Sequence, residues 1–210
     1  MRLILASSSP RRRAILSLLG VPFDTITPRF AEIVVRRRPI AEEVLEFAVN
    51  KAASVAAENP ASIVIGSDTM IALDDEKFGK PANMDDAHRM LRALSGQRHE
   101  IYTSVAMVDG AGGPGLRIIE TVAVKMRRFS DDDIENYLLR GESLDKAGAY
   151  SIQEAGRGLI ESITGDYLAA VGMPLKPIAR YLQERGIRVP VDVEKLYAEK
   201  SFLNWRNFAS

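Results

Sequence analysis

Arg11 and Arg12 follow Pro10 in the first turn of a short helix, where positive charge opposes the helix dipole unless an anion sits there. Stepping about 100° per residue, Ile15, Leu18 and Leu19 mark the apolar face. Arg11 falls on its flank, Arg12 in line with Leu19, and Arg13 points away. Two guanidiniums at the core side of a helix mouth suit a phosphate, and Ser9 as N-cap adds the backbone N–H groups of that turn. Three solvated arginines on a surface helix is the plain alternative. Lys51 lies in a run where Ile40, Val44, Phe47, Ala48, Ala52 and Val55 keep helical spacing, so it stands on an apolar face. Its ammonium either snorkels to water or has a buried anionic partner, a carboxylate or a phosphate. Asp68 ends an apolar strand, the edge at which open α/β sheets bind ligands, and Gly66 beside it lets a ligand approach the backbone. An Asp that only caps its own turn is equally open. Lys80, in Gly79-Lys80-Pro81, and Glu32, alone in an arginine-rich loop, are weaker signals. Together these cations and two acids describe a site for a polyphosphate and a divalent metal ion.

An alternating α/β chain is needed to bring these residues together. Residues 3–6 read as a buried strand, broken at 7–9, with a helix from Pro10 closed by Gly20 as its C′ residue. A strand at 23–26, a polar loop at 28–39 and a helix at 40–59 follow. The apolar strand 63–65 ends at 66–69, and 70–73 continues as a hairpin through Asp74-Asp75. A helix at 84–94 stops at Ser95-Gly96. Alternating strands at 101–108 and 118–126 flank a glycine-rich connection at 110–115. Ser130 caps a helix at 131–139, and Asp131, Asp132 and Asp133 suit its dipole as structural residues. An irregular stretch at 144–153 leads to short strands at 159–163 and 167–171 and a helix at 175–184. Beyond Gly186, a tail with Phe202, Trp205 and Phe208 packs on the body or on a partner.

The composition excludes several classes. Lys+Arg 28 balances Asp+Glu 28, so no global positive field holds nucleic acid. The alternating strands carry no aromatic platform for bases. No nucleic-acid partner is therefore expected. With no cysteine, disulfides, thiolate metal sites and Cys nucleophiles are out, and His88 and His99 are too few for a His-rich metal site. No nucleophile elbow, P-loop or dinucleotide fingerprint is present. The first apolar run ends at Ala6, too short for a signal peptide, and no stretch approaches the roughly 20 apolar residues of a membrane span. A cytoplasmic protein without membrane contact is expected. A hydrophobic share of 46% supports one domain, in two lobes.

The ordered motifs resemble those of the Maf-type nucleoside triphosphate pyrophosphatases. They are Leu5-Ala6-Ser7-Ser8-Ser9-Pro10-Arg11-Arg12, Glu32, Lys51-Ala52, Ile65-Gly66-Ser67-Asp68-Thr69 and Gly79-Lys80-Pro81, then Leu94-Ser95-Gly96, residues 145–153, Gly165-Asp166-Tyr167 and Val171-Gly172-Met173-Pro174-Leu175. The resemblance spans residues 1–184 and leaves 185–210 as a tail. It implies an α/β fold, a mixed sheet with flanking helices and two lobes around a central cleft, related to the inosine triphosphate pyrophosphatases. It implies cleavage of a nucleoside triphosphate to the monophosphate and pyrophosphate, a divalent cation (Mg or Mn), and a homodimer. Asp68 matches the acidic catalytic residue, a proton acceptor, and Glu32, Lys51 and Lys80 line the same cleft; Glu32 and Asp68 are the candidate acids for the metal ion. Ser7, Ser9, Arg11, Arg12, Lys51, Thr69, Lys80 and Gln153 match substrate-binding positions. Arg11, Thr69 and Gln153 are linked to substrate choice, and their forms here resemble the branch acting on dTTP and UTP. Glu154 departs from the glycine common after the Ile-Gln pair. The alternative is a nucleotide-binding regulator of cell division that does not hydrolyse.

Overall fold

The computed structural model describes residues 1–35, 37–110, 115–202 and 204–208. Continuous apolar runs suit strands covered on both faces. Two such runs form β1 (Arg2–Ala6) and the first half of β3 (Ser62–Leu73), paired in parallel from Arg2↔Ser62 to Ala6↔Gly66. Between them the chain forms α1 (Pro10–Ser17), then β2 (Asp24–Ile26), parallel to β1, then α2 (Ile40–Ala56). β3 does not stop at Gly66. It runs on for 12 residues in all, and β4 (Glu76–Phe78) folds back on its end from Ile71↔Phe78. α3 (Met84–Leu94) follows, with Asn83 as its cap. β5 (Arg98–Asp109) pairs antiparallel along the other edge of β3, β6 (Leu116–Met126) along β5, and β7 (Ile160–Thr164) along β6. The seven-stranded sheet has the order β2-β1-β3-β5-β6-β7, with β4 beside the far end of β3. The centre of the glycine-rich connection, 111–114, lies outside the described residues.

One edge of β3 therefore changes partner. β1 accompanies it as far as Gly66 and β4 rejoins it at Ile71. Among the described residues no strand pairs with 67–70 on that edge, and the cleft opens there. Helices cover both faces: α2 packs on Ile4, Ala6 and Val64 through Ala52 and Val55, and the larger cluster on the other face takes in Ile15, Leu16 and Leu19 with the later helices.

Four sequence expectations change. Residues 167–171 form a helix, α5 (Tyr167–Val171), not a strand, after α4 (Asp131–Leu138). Gly165 at φ 123° ends β7, and the Asp166 side chain accepts from the N–H groups of Leu168 and Ala169. A five-residue apolar run has no periodicity to choose between strand and helix, and the cap decides. In α1 the buried face is Ile15, Leu16 and Leu19, with Leu18 only partly covered. That helix ends on Leu18, two residues short of Gly20 at φ 66°. Gly66 does not serve a ligand: a Cβ there would lie 2.2 Å from the Ala48 carbonyl oxygen, so the glycine lets α2 lie against the sheet.

After α6 (Leu175–Glu184) the tail adds α7 (Val193–Glu199) and a short turn of helix at Trp205–Phe208. It packs on the body of its own chain. Trp205 stacks on Tyr167 at 5.6 Å between ring centroids and 14° between planes, Phe202 is buried, and the Tyr197 hydroxyl donates to Asp166 at 2.8 Å. Among the described residues no helix is long and apolar enough to cross a membrane.

Candidate active site

Side chains alternate along a strand, so consecutive residues of 67–70, paired with β5 alone among the described residues, serve opposite sides of the sheet. Asp68 points toward α2, where Lys51 meets it. Lys51 is buried on the apolar face of α2 with Val44, Phe47, Ala48, Ala52 and Val55. Its ammonium contacts Asp68 and lies 2.6 Å from Glu32. The buried-partner reading of Lys51 holds, and the partners are two carboxylates. Burial raises the proton affinity of Asp68 above the ordinary carboxylate range, against the opposing charges of Lys51 and Arg12. Glu32 goes the other way. Burial again favours its protonated form, but Lys51, then Lys80 and Arg12, carry it below the ordinary range. The two acids of one cluster are thus pushed apart, the pattern of an acid–base site.

On the other side of the sheet, Ser67 donates to the Gly172 carbonyl at 2.9 Å, and Thr69 meets Thr103 at 3.1 Å. Arg12 reaches both anchors, donating from Nε to the Gly172 carbonyl at 3.2 Å and from its guanidinium to Thr69 Oγ1 at 3.2 Å. α1 starts at the end of β1, where Ser9 caps it by accepting from Arg12 N and Ser7 Oγ accepts from Ser9 N at 3.1 Å. The positive end of α1 faces the cleft with Arg12 fixed beneath it. Arg11 lies nearer water and pairs with Asp145 at 3.3 Å, whereas exposed Arg13 points to Thr25.

The cleft has a volume of about 670 Å³, within the usual range of ligand sites. Ser7, Ser9, Arg11, Arg12, Glu32, Lys51, Asp68, Thr69, Lys80 and Gln153, the full set singled out in the sequence, all line it. Lys80 is exposed on the rim. Its turn is tied to the far wall by Gly148 N–H donating to the Gly79 carbonyl at 3.0 Å. In that wall Ser151 N–H donates to the Tyr137 hydroxyl at 2.9 Å, and Gln153 N–H to Ser151 Oγ at 3.2 Å. The amide nitrogen of the Gln153 side chain is buried and has no hydrogen-bond partner among the described residues. Glu154 sits at φ −104° and ψ −139°, with its side chain outward and 3.6 Å from Lys146.

Two supports escaped the sequence. Glu43, fully buried, accepts from Val35 N–H at 2.5 Å and pairs with Lys77 at 2.6 Å, and Lys77 also donates to the Val35 carbonyl at 2.7 Å. With Phe30 edge-on to Phe47 at 5.5 Å, this holds the loop bearing Glu32 over the cleft. Glu43 lies four residues before Phe47 on the buried face of α2, a spacing that marks it, but an acid in a first helical turn passes for a dipole partner. The second is His99, whose Nε2 lies 2.7 Å from the Tyr150 hydroxyl behind the far wall; burial lowers its pKa to about 4, so it is neutral at pH 7.

Glu32 and Asp68 converge on one cation position, now taken by the Lys51 ammonium. Two carboxylate oxygens suit a hard divalent ion, and such ions commonly take one or two carboxylates plus substrate phosphates. Among the described residues no group of three or more His, Asp or Glu forms an all-protein cage, so phosphate oxygens and water would have to complete the shell.

Oxygen acids, fixed cations and a helix N-terminus around one cleft define an α/β protein built to handle a polyanion. A family model described as Maf-like protein matches residues 2–185. The chain belongs to the Maf family. It is 43% identical to the dTTP/UTP pyrophosphatase of Moorella thermoacetica over 188 residues, 90% of this chain and 97% of that one. It is 41% identical to the dTTP/UTP pyrophosphatase of Bacillus velezensis over 187 residues, 89% of this chain and 98% of that one. Among solved structures, the Ham1 protein of Staphylococcus aureus matches with a TM-score of 0.49 and 16% identity, covering 88% of this chain and all of that one.

Proposed function

We propose that the chain hydrolyses nucleoside triphosphates, dTTP and UTP above others, to the monophosphate and pyrophosphate. The observation that carries this is the convergence of Glu32, Lys51, Asp68 and Arg12 at the N-terminus of α1. It agrees with relatives named dTTP/UTP pyrophosphatase over most of the chain. An intact set of acids and bases favours hydrolysis over a regulator that only binds nucleotide.

Water attacks the α-phosphorus and pyrophosphate leaves. Asp68 orients or deprotonates that water, directly or through the metal ion it would hold. Arg12, Lys51 and Lys80 stabilise charge on the phosphates, with Arg12 preset by Thr69 and Gly172. Glu32 and Asp68 would hold a Mg or Mn ion, which neutralises triphosphate charge when bound. The unpaired amide nitrogen of Gln153 meets a carbonyl of the base. Uracil and thymine present carbonyl, N–H and carbonyl along one edge, which an amide reads in a bidentate way. The homodimer rests on the family resemblance, and the cytoplasmic setting on the sequence expectation of no signal peptide and no membrane span.

Pyrophosphate release from dTTP, UTP, CTP, GTP and ATP, with added Mg or Mn, tests this. Turnover of dTTP and UTP well above the purines is expected, with Gln153→Ala flattening the preference. Binding without release of pyrophosphate would sink the enzymatic reading. Equal hydrolysis of GTP would sink the base assignment alone.

A further inference from the structure

The matched family segment ends at residue 185, yet the chain beyond it returns to the cleft wall. Tyr197 donates to Asp166, the cap of α5, and accepts from Leu175 N–H at 3.1 Å. Trp205 is buried against Tyr167 and lies edge-on to Tyr197 at 4.9 Å. These contacts fix the position of Asn204, whose side-chain amide donates to the backbone carbonyl of Gln153. The same Gln153 carries the buried, unpaired amide nitrogen in the cleft wall.

We propose that the C-terminal tail is a specificity element, in which Asn204 is a positioning residue that sets the backbone, and hence the amide direction, of Gln153. This rests on the base-reading role given to Gln153 above. Gln153 is held from its N–H side by Ser151 Oγ and from its carbonyl side by Asn204. With both peptide groups pinned, its side chain has fewer ways to meet a base, and recognition needs less ordering on binding. Without Asn204 the carbonyl loses its fixed donor and the peptide is freer to rotate. A rotated amide exchanges donor and acceptor directions, which is the difference between reading uracil and reading cytosine. Asn204 itself sits at φ 57°, a conformation that Asn tolerates and Ala resists.

That backbone angle selects the variant. Asn204→Gly keeps the conformation and removes the donor; Asn204→Asp keeps the shape and sets a carboxylate against the carbonyl. Steady-state kinetics on dTTP, UTP and CTP are compared with wild type, alongside the melting temperature and the emission of Trp205, the only tryptophan in the chain. Unchanged melting and emission establish that the tail is still docked. The expected result is a fall of about 3–10-fold in the preference for dTTP and UTP over CTP in both variants, the range set by one hydrogen bond. The loss should appear in KM for the preferred nucleotides, with kcat within about twofold, because Asn204 does not touch the reacting phosphates. Wild-type preference retained by docked variants would overturn this inference and leave the pyrophosphatase reading standing. A variant that loses the tail, seen as shifted emission, yet keeps full preference would overturn it as well. A wild type that cleaves all bases alike would remove the base-reading role of Gln153 and this inference with it.

Discussion

Lys51→Met leaves Asp68 and Glu32 without their shared cation. Breaking a buried ion pair from one side costs about 3–5 kcal/mol. The Lys51 and Asp68 side chains, 7% and 6% exposed, belong to that class. Two features reduce the cost: Glu32 keeps 35% of its side-chain surface in water, and Arg12 remains near Asp68. A loss of about 2–4 kcal/mol follows. At about 2–4 °C per kcal/mol for a chain of this size, the melting temperature near pH 8 should drop by about 4–16 °C. The pH dependence carries the stronger test. Asp68 in the folded protein already holds its proton more tightly than in the unfolded chain, so its contribution to stability falls as pH rises through its raised pKa. Removing Lys51 removes the largest charge opposing that rise and enlarges the fall. Glu32, held below its ordinary range, stabilises the fold above its unfolded pKa, and the variant forfeits part of that in the same window. The deficit should therefore grow from pH 4 to pH 8. Thermal melts of both proteins across that range settle it. Equal or higher melting of the variant near pH 8, or a deficit independent of pH, would refute the buried-triad reasoning.

Asp68→Asn should fold, since it removes a desolvated charge, while pyrophosphate release falls on the order of a hundredfold or more; retained turnover would exclude Asp68 as the proton acceptor. Gly66→Ala places a methyl 2.2 Å from the Ala48 carbonyl and should lower the melting temperature sharply or prevent soluble expression, which a thermal melt or expression trial reads directly. Lys77→Met strands fully buried Glu43 and should cost about 3–5 kcal/mol, measurable by urea unfolding, together with a raised KM as the Glu32 loop loosens.

Local chemistry made much of the architecture legible. α3 and α6 fall on the residues that periodicity assigned, because Asn83 caps one and Pro174 enters the other. The candidate anion site was legible for a different reason: Arg12 in a first helical turn and Lys51 on an apolar face violate local rules, and such violations gather at sites. What stayed hidden depends on distant contacts. That Lys51 neutralises two acids at once needs Glu32 and Asp68, 36 positions apart, brought to one point. That Gly66 serves helix packing needs the α2 backbone at 2.2 Å. The tail offered Phe202 and Trp205 as apolar residues without saying what they cover, and only the fold supplies Tyr167.

The change of partner along β3 also bears on cooperativity. Its first half completes the parallel segment with β1, its second half the antiparallel segment with β4, and β5 runs beside both from Ile63↔Asp109 to Ala72↔Glu100. β3 thus belongs to both segments, and neither its parallel pairing with β1 nor its antiparallel pairing with β4 forms without it. The two segments are joined by continuous strands and not by a flexible linker, so any opening between them must bend β3 and β5 themselves. Heat should then melt the chain in a single transition, with calorimetric and van't Hoff enthalpies equal.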